Sequence, residues 1–431
     1  MHVEQQQAAR AVHAVLGGAT LRAALAAVDD GSALRGRTLV AELAYGTLRH
    51  WGTLDALVRR LADKDIADPL LGTLLAVAIY QLEHTRAPAF AVVDRAVEAA
   101  AELARPAAKG WANALLRRYL RERTALGAAV RADPVARYSY PRWWIARVRA
   151  DLPDHWISIL EAGNARPPLT LRVNLRAGTV AALLARFAAA DVRATAAGDQ
   201  GIVVDPPVPV AGLPGFAEGA FSVQDLGAQL AAPLLGVADG LRVLDACAAP
   251  GGKSTNLLEL AGIELTALDS DAARLPRIDE NLARLALGDR RVAVVAADAG
   301  DTATWWDGRP YDRILADVPC SASGVVRRHP DGKWLRRSAD VAAFCREQDR
   351  LLDALWPCLA SGGRLLYATC SVFAAENEGR IAAFLARRPD ALRESITFPA
   401  GALHIGGQLL PSSEGAVHNQ DGFFYALLRK A

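Results

Sequence analysis

The feature that most constrains the fold is a regular alternation of strand-like and helix-like segments that begins near Gly240. Strands are predicted at residues 242–246, 264–268, 291–297, 312–316, 363–369 and 423–428, and helices at 253–261, 271–287, 338–358 and 375–387. Such alternation predicts a mostly parallel sheet with helices on both faces. A ligand is then expected across the carboxyl ends of the strands.

The part of the chain before this alternation follows other patterns. Residues 1–140 are predicted to be helical almost throughout, because apolar residues recur there at three- and four-residue spacing. A mixed segment follows, with a predicted strand at 169–174 and a predicted helix at 179–190. A chain of 431 residues exceeds what one hydrophobic core usually supports. We therefore predict an all-α domain over residues 1–140, a small α/β connector over 141–235 and an α/β domain over 236–431.

The charge of the chain is small but unevenly distributed. The formal net charge is only +2, yet residues 1–145 carry 19 Lys and Arg against 14 Asp and Glu. A basic surface attracts polyanions. The amino-terminal part is therefore the better candidate for contact with a nucleic acid.

The five cysteines exclude several classes of site. No two of them are spaced as C-x-x-C, so neither a structural zinc site nor the disulfide framework of a small secreted protein is predicted. The start of the chain is polar, and no apolar run approaches the ~18 residues typical of a membrane span. We expect a cytoplasmic protein that uses no metal and contacts no membrane. The sequence leaves its oligomeric state open, with a monomer compatible.

The first loop of the α/β domain indicates a nucleotide-like ligand. After Asp245, small residues and glycines lead to a helix start at Lys253, where the backbone can approach a ligand closely. A phosphate-binding P-loop needs glycine where Cys247 stands, and the G-x-G-x-x-G of a dinucleotide fold is absent. An adenosine ligand without a long phosphate tail remains. Asp269 is placed to accept hydrogen bonds from the ribose hydroxyls of such a ligand, and Asp298 is placed to accept one from its adenine amino group.

Two cysteines lie where an open α/β sheet has its chemistry. Cys320, in Pro-Cys-Ser, and Cys370, in Thr-Cys-Ser, each follow the end of a predicted strand. A thiolate is a strong nucleophile at neutral pH, so covalent chemistry with a second sulfur nearby is predicted. Cys345 and Cys358 lie inside a predicted helix and are expected to be ordinary buried residues.

Three motifs, in order along the chain, carry a resemblance to a known family. They are Val243–Lys253 with Cys-Ala-Ala-Pro-Gly-Gly-Lys, Asp317–Gly324 with Pro-Cys-Ser, and Tyr367–Ser371 followed by Glu376-Asn377-Glu378. With them the chain resembles the S-adenosylmethionine-dependent RNA 5-methylcytosine methyltransferases of the NOL1/NOP2/Sun family. The resemblance implies a Rossmann-like class I S-adenosylmethionine methyltransferase domain, an α/β fold, preceded by a small α/β connector and an all-α NusB-like domain.

Further segments resemble the bacterial members of this family that act on small-subunit ribosomal RNA. They are residues 164–168, 172–174, 222–225 and 325–334. In those members the amino-terminal helical domain is similar to the antitermination factor NusB, and residues 1–140 look like it. The resemblance implies S-adenosyl-L-methionine as the cofactor and 16S ribosomal RNA, free or in an assembling particle, as the partner. It implies the cytosine called position 967 as the target.

The resemblance also assigns roles to individual residues. Those implied to contact S-adenosylmethionine are Cys247, Ala248, Ala249, Pro250, Gly251, Gly252, Lys253, Asp269, Asp298 and Asp317. Cys370 is implied to be the nucleophile. DNA 5-methylcytosine enzymes use a Pro-Cys thiol, which would favour Cys320 instead, but the family assignment is adopted here.

Chemistry adds to these assignments. Cys320 is expected to assist the release of the product, and a carboxyl group of Asp317 near N3 of the base would stabilise developing charge. Lys253 is predicted to be either a cation facing the ligand or the salt-bridge partner of a catalytic carboxylate such as Asp317.

Two alternative functions stay open. The same chemistry could serve a different ribosomal RNA or transfer RNA cytosine. The chain could also be a NusB-like RNA-binding protein with an inactive methyltransferase fold. Intact Cys320, Cys370 and Asp317 argue against the second alternative, because an inactive protein has no physical reason to keep two reactive thiols.

Overall fold

The computed structural model describes residues 2–29, 31, 33–62, 66, 68–103, 106, 108–288, 291–415 and 418–431. Its residue contacts divide the chain into two compact units. The first combines Met1–Ala165 with Val326–Ser338, and the second combines Arg166–Val325 with Ala339–Ala431. The three domain boundaries drawn from the sequence stay predictions.

The first unit is built of helices. They are α1 (His2–Leu16), α2 (Leu21–Ala27), α3 (Leu34–Arg49), α4 (Trp51–Leu61), α5 (Pro69–His84), α6 (Ala89–Leu103), α7 (Ala108–Val130), α8 (Pro134–Tyr138), α9 (Arg142–Asp151), α10 (Trp156–Asn164) and α15 (Gly332–Leu335). Two of them begin with an aspartate cap: Asp68 and Asp133 each accept a hydrogen bond from the N–H two residues on. Pro69 and Pro134 follow at the first helical position, where the missing N–H costs nothing. The helical prediction for residues 1–140 is confirmed over the described residues.

The helical unit includes a segment from far along the sequence, Val326–Ser338. Lys333 in this segment is fully buried. Its ammonium group donates to the Arg49 carbonyl at 2.7 Å and to Asn164 Oδ1 at 2.8 Å, and it lies 4.3 Å from the ring centre of Tyr140. Burial, with the nearby charge of Arg49, lowers the pKa of Lys333 well below its usual value. These contacts explain why the segment belongs with the helices.

The second unit begins with a small antiparallel sheet. Its elements are β1 (Leu169–Val173), α11 (Val180–Ala189), β2 (Ala194–Ala197), β3 (Gly201–Val204) and β4 (Phe221–Val223), with the strand order β2-β3-β1-β4. Phe187 and Phe221 pack edge to face in its core, with ring centres 5.8 Å apart. The predicted strand at 169–174 and helix at 179–190 are confirmed. The strands β2, β3 and β4 were missed, because runs of three or four residues are too short to show an alternating pattern.

A large sheet follows, with helices α12 (Ala231–Leu235), α13 (Gly252–Leu260), α14 (Pro276–Arg284), α16 (Ser338–Leu355) and α17 (Glu378–Arg387). Its strands are β5 (Arg242–Asp245), β6 (Glu264–Asp269), β7 (Val292–Ala296), β8 (Tyr311–Asp317), β9 (Leu359–Thr369), β10 (Ala391–Glu394), β11 (His404–Ile405), β12 (Gln408–Leu409) and β13 (Phe423–Lys430).

The strand order of this sheet is β11-β12-β13-β9-β8-β5-β6-β7, and β10 pairs with β13. The strands β5 to β9 are parallel, and β13 runs antiparallel to β9. The predicted parallel arrangement is therefore confirmed for β5 to β9, but the sheet as a whole is mixed, because β13 and the missed short strands β10, β11 and β12 pair antiparallel. Among the described residues, no helix has both the length and the apolar character needed to cross a membrane.

A buried ion pair joins the small sheet to helix α13 within the second unit. Arg172 on β1 and Glu259 on α13 have no exposed side-chain surface, and their groups meet at 2.8 Å. The Arg172 guanidinium also donates to the Gly252 carbonyl at 2.5 Å and to Thr255 Oγ1 at 3.0 Å. Because Gly252 begins α13, one arginine connects the small sheet to the start of that helix.

This pair yields a stability prediction. Arg172→Ala leaves the Glu259 carboxylate buried and unpaired, which should lower the free energy of unfolding by roughly 3–5 kcal/mol. Arg186→Ala removes an exposed pair with Glu218, whose side chains are 45% and 60% exposed, and should cost at most about 1 kcal/mol. Urea denaturation followed by circular dichroism measures both. Equal losses in the two variants would contradict a structural role for the buried pair.

Candidate active site

The carboxyl ends of four strands meet at one edge of the large sheet. Asp245 ends β5, Asp269 ends β6, Asp317 ends β8, and Cys370 directly follows β9. These strands are parallel neighbours, so their ends point the same way. The site predicted at this edge is thus assembled from four separate stretches of the chain.

The loop between β5 and α13 has a special backbone conformation. Gly251 has a φ of +93°, in the left-handed region, and a Cβ there would lie 3.2 Å from the Cα of Ile278. The peptide bond between Ala249 and Pro250 is cis. Helix α13 begins at Gly252 without a side-chain cap. Its first N–H groups can therefore donate to a carboxylate or phosphate of a ligand.

The predicted cofactor residue Asp269 is buried against this loop. Its Oδ2 accepts from the Ala249 N–H and its Oδ1 from the Asp271 N–H, both at 3.0 Å. Arg274 lies 3.6 Å from the same carboxylate and donates to the Ala249 carbonyl. Asp271 itself caps the next helical turn. Asp269 thus holds the loop in shape, and its role toward a ribose stays a prediction.

Asp298 lies in a more open position. Its side chain is 48% exposed. Arg350 donates to both of its oxygens, at 2.8 and 3.0 Å, and the Gly300 N–H donates to Oδ1 at 2.8 Å. The hydrogen bond from Arg350 lowers the pKa of Asp298. Its predicted contact with an adenine amino group stays a prediction.

Lys253 and Asp317 form an ion pair. The ammonium group donates to Asp317 Oδ2 at 2.5 Å, and the two side chains are 14% and 27% exposed. Burial opposes the charge on Lys253, but the Asp317 carboxylate prevails and raises the pKa of the ammonium group. The ring centre of Phe423 lies 5.7 Å from Nζ. Of the two roles predicted for Lys253, salt-bridge partner of Asp317 is confirmed.

The structure brings the two predicted thiols together. Cys320 Sγ and Cys370 Sγ are 3.4 Å apart. Cys320 is buried and Cys370 is partly exposed. The hydrogen bond with Cys370, burial, and the charges of Cys370 and Glu376 raise the pKa of Cys320 well above its usual value. Cys370 lies close to Lys253 instead, and a negative charge on Cys370 contributes to the raised pKa of the Lys253 ammonium group.

The backbones of the two thiol loops are in direct contact. The Gly324 N–H donates to the Cys370 carbonyl at 2.8 Å, and the Gly422 N–H donates to the Gly324 carbonyl at 2.9 Å. A Cβ on Gly324 would come 2.2 Å from the Gly422 carbonyl oxygen. Only glycine permits this approach, which keeps the Cys320 loop beside Cys370.

A buried carboxylate that the sequence reasoning left without a role joins the same loops. Glu376 has no exposed surface. It accepts hydrogen bonds from the Ser321 N–H at 2.7 Å, from Ser321 Oγ at 2.5 Å and from Ser371 Oγ at 2.6 Å. The signal was present as Glu-Asn-Glu shortly after Cys370, but nothing in that pattern shows which acid turns inward.

Asp245 is a second residue to which the sequence reasoning gave no role. It is 1% exposed, and Ser254 Oγ donates to its Oδ2 at 2.6 Å. Its Oδ1 is buried with no hydrogen-bond partner among the described residues. Burial raises the pKa of Asp245 to about 7, with Asp317 adding to the rise and Ser254 opposing it. This oxygen is a candidate acceptor for a ligand donor.

The remaining cysteines have other surroundings. Cys345 and Cys358 are buried, as predicted. Burial, followed by the charges of Asp317 and Asp245, raises the pKa of Cys247, so its thiol is a poor nucleophile. No cluster of three or more His, Cys, Asp or Glu that could hold a metal ion occurs in the described part of the chain.

Three parts of the chain match known sequence families. Residues 2–121 match the NusB family, residues 140–211 match the RsmF/B-like methyltransferase ferredoxin-like domain, and residues 232–429 match 16S rRNA methyltransferase RsmB/F. This order confirms the fold class that the resemblance implied.

Two curated relatives and one solved structure extend these matches. The chain is 48% identical to ribosomal RNA small subunit methyltransferase B of Pseudomonas putida, over 98% of this chain and 97% of that protein. It is 41% identical to the protein of the same name from Vibrio cholerae, over 96% and 94%. The crystal structure of PH0851 is similar over 100% of this chain and 99% of that one, with a TM-score of 0.78. At 24% identity, that likeness shows the fold alone.

The buried Asp245 yields a prediction on pH dependence. Its pKa of about 7 lies above the usual 3.8, so at intermediate pH the folded protein holds a proton that the unfolded chain has lost. The resulting stability is complete at low pH and is lost as pH rises through 7. The variant Asp245→Asn has no group at this position that can ionise. The free energy of unfolding of this variant, compared with that of the wild type, should therefore rise by on the order of 3 kcal/mol from pH 5 to pH 8.

Urea denaturation at both pH values measures this difference. Asp301→Asn, at an exposed position, should follow the wild type at both. If the Asp245→Asn variant also keeps a constant difference from the wild type, Asp245 does not titrate in this range.

Proposed function

The chain belongs to the family of ribosomal RNA small subunit methyltransferase B, within the 16S rRNA methyltransferases, and on that premise we propose that it methylates C5 of a cytosine through a covalent adduct with Cys370. The observation that carries the proposal is the pair of thiols 3.4 Å apart at the carboxyl edge of the sheet. Beside them lies the ion pair of Lys253 and Asp317.

The proposed chemistry explains why a thiol is needed. Cytosine C5 is too weak a nucleophile to accept a methyl group directly. Attack of the Cys370 thiolate on C6 forms the S–C6 bond and moves the electron pair of the C5–C6 double bond toward C5. The base must leave its stack, or lie in a loop, for C6 to reach the thiolate.

The charges around the two thiols support Cys370 as the nucleophile. The Lys253 ammonium group lies near Cys370, and the charge of Cys370 contributes to the raised pKa of Lys253. Cys320 instead faces the Glu376 carboxylate, which opposes a second negative charge. This electrostatic argument does not depend on the family resemblance, and it favours the same residue.

Release of the product restores the aromatic ring. The C5–H bond breaks, its electron pair forms the C5–C6 double bond, and the S–C6 bond breaks with its pair returning to Cys370. We assign Cys320, which is a thiol during attack, the role of passing its proton to the departing Cys370 sulfur 3.4 Å away and taking the C5 proton in its place.

Lys253 and Asp317 would act on the base during attack. The protonated Lys253 offsets the negative charge that develops on the ring, and the Asp317 carboxylate can accept from the exocyclic amino group of cytosine. Uracil has a carbonyl at that position, which a carboxylate repels. The pair thus accounts for a preference for cytosine.

S-adenosylmethionine is the proposed cofactor, and the residues at the sheet edge fit it. Helix α13 starts without a side-chain cap and can hold a carboxylate, and the orphaned Asp245 Oδ1 can accept from an amino group. We propose that the loop from Cys247 to Lys253, together with Asp269, Asp298 and Asp317, binds it. When bound, it would supply the electrophilic methyl group that C5 accepts.

The RNA partner is proposed from family membership. The curated relatives are named for the small-subunit RNA, and residues 2–121 match the NusB family. We propose that this helical unit contacts 16S rRNA and that the target is the cytosine called position 967. Five free cysteines suit the reducing cytoplasm, where we expect the protein to act.

The first test is methyl transfer itself. The protein should transfer radiolabelled methyl groups from S-adenosylmethionine to 16S rRNA from cells that lack this methylation, and digestion of the RNA should yield 5-methylcytidine. Methylated 16S rRNA from ordinary cells is the control and should accept no label. Transfer only to another ribosomal or transfer RNA would change the target. Transfer to no RNA would leave an RNA-binding protein and overturn the enzymatic proposal.

The second test separates the roles of the two thiols. Cys320→Ala should accumulate a covalent protein–RNA adduct, because release is slowed, while Cys370→Ala should form none. Denaturing gel electrophoresis with labelled RNA detects the adduct. Cys358→Ala, at a buried cysteine outside the site, should behave like the wild type. An adduct that forms with Cys370→Ala and not with Cys320→Ala would exchange the two roles.

A further inference from the structure

The buried carboxylate of Glu376 contacts both thiol loops, and we infer that it is a positioning residue for the reaction. We propose that Glu376 fixes the separation of the two sulfurs and confines the negative charge of the thiol pair to Cys370. Cys320 then remains a thiol while Cys370 attacks. This inference rests on the proposed function.

The hydrogen bonds of Glu376 reach the residue directly after each thiol. Ser321 follows Cys320 and donates through its N–H at 2.7 Å and its hydroxyl at 2.5 Å. Ser371 follows Cys370 and donates through its hydroxyl at 2.6 Å. A rotation of either loop would break at least one of these bonds, so the sulfurs are kept 3.4 Å apart.

The arrangement requires a carboxylate and not merely a polar side chain. Glu376 accepts three close hydrogen bonds from Ser321 and Ser371, and Gln348 Nε2 lies 3.5 Å from Oε1. A glutamine offers one acceptor oxygen and turns an NH₂ donor toward the remaining partners. Buried polar atoms that lose their partners cost free energy, so the amide is a poor substitute.

No cation neutralises this carboxylate among the residues that the structure describes. Arg380 is on the neighbouring helix, but its Nε donates to the Ala375 carbonyl at 2.9 Å and its Nη1 to Asp349 at 2.5 Å. The Tyr367 hydroxyl donates to the Glu376 main-chain carbonyl at 2.6 Å and leaves the carboxylate untouched. Glu376 is thus a buried acceptor group next to the thiol pair with only neutral donors.

The groups that face Cys320 agree with this assignment. They are Cys370, Glu376 and Tyr367, and each would be neutral or negative. The ammonium group of Lys253 interacts with Cys370 instead. The groups around Cys320 therefore oppose a negative charge on its sulfur, and Cys320 keeps its proton.

The test compares the wild type with Glu376→Gln, Glu376→Asp and Glu378→Gln. RNA carrying 5-fluorocytosine traps the adduct, because fluorine at C5 cannot leave as a proton does. Glu376→Gln should slow adduct formation at saturating RNA by roughly 10- to 100-fold, with KM for RNA within about 2-fold, since one or two close hydrogen bonds are lost. Glu378 is on the same segment and pairs at the surface with Arg393, with its side chain 55% exposed. Glu378→Gln should match the wild type.

A second readout needs no RNA. In protein labelled with ¹³C at cysteine Cβ, the Cys320 signal, assigned with Cys320→Ser, should titrate at lower pH in Glu376→Gln than in the wild type. Glu376→Asp keeps the charge but shortens the reach, so it should keep the Cys320 titration and lose adduct rate. If Glu376→Gln fails to fold by circular dichroism, the Asp variant decides: an unchanged adduct rate there overturns the positioning role.

The two proposals fail in different ways. A wild-type protein that forms no adduct with 5-fluorocytosine RNA counts against the covalent mechanism, whatever the variants do. A wild type that forms the adduct, with Glu376→Gln unchanged in both adduct rate and Cys320 titration, overturns only the role of Glu376.

Discussion

The parallel pairing of β8 with β9 is the contact on which the site depends. It sets Asp317 opposite Ala368, so the strand that carries the carboxylate ends beside the strand that leads to Cys370. Two loops 50 residues apart in sequence then leave the sheet at the same point, and the sulfurs meet at 3.4 Å. A shift of that register by one residue would turn Asp317 to the opposite face of the sheet. The strand pairing already brings the two sulfurs close together. The contact of Gly324 with Gly422 and the hydrogen bonds of Glu376 then set the distance between them.

The electrostatics next to the thiols depend on the Lys253 ammonium group, which lies among several acids. Lys253 is the partner of Asp317, while Asp245 is buried close by, and one of its oxygens has no hydrogen-bond partner within the described part of the chain. Asp245 ionises only near pH 7, so the edge carries less negative charge than its count of acids suggests. Cys370 interacts with Lys253, whereas Cys320 interacts with the Glu376 carboxylate. Two chemically identical groups thereby acquire different charged neighbours.

Much of this site was predictable because it lies at strand ends. The strands that lead to Asp269, Asp317 and Cys370 contain apolar runs that can be recognised, and the end of a parallel strand is where an α/β sheet binds ligands. Glu376 was not predictable in its role, because its partners, Ser321 and Ser371, come from two different loops. The short strands β2, β3 and β4 were missed for a related reason: their pairing partners, and not their own few residues, define them.

By itself, the sequence determined the class of fold, the family and the presence of two thiols at strand ends, since these depend on local periodicity and on residue order. Only the tertiary structure decided which side chains meet. It paired Lys253 with Asp317, placed the segment that carries Lys333 among the helices of the first unit, and gave the two cysteines different neighbours. The physical reason is that charge, burial and hydrogen bonding act through distances in space. Residues as far apart in the chain as Cys320 and Glu376 have no relation until the sheet brings their loops together.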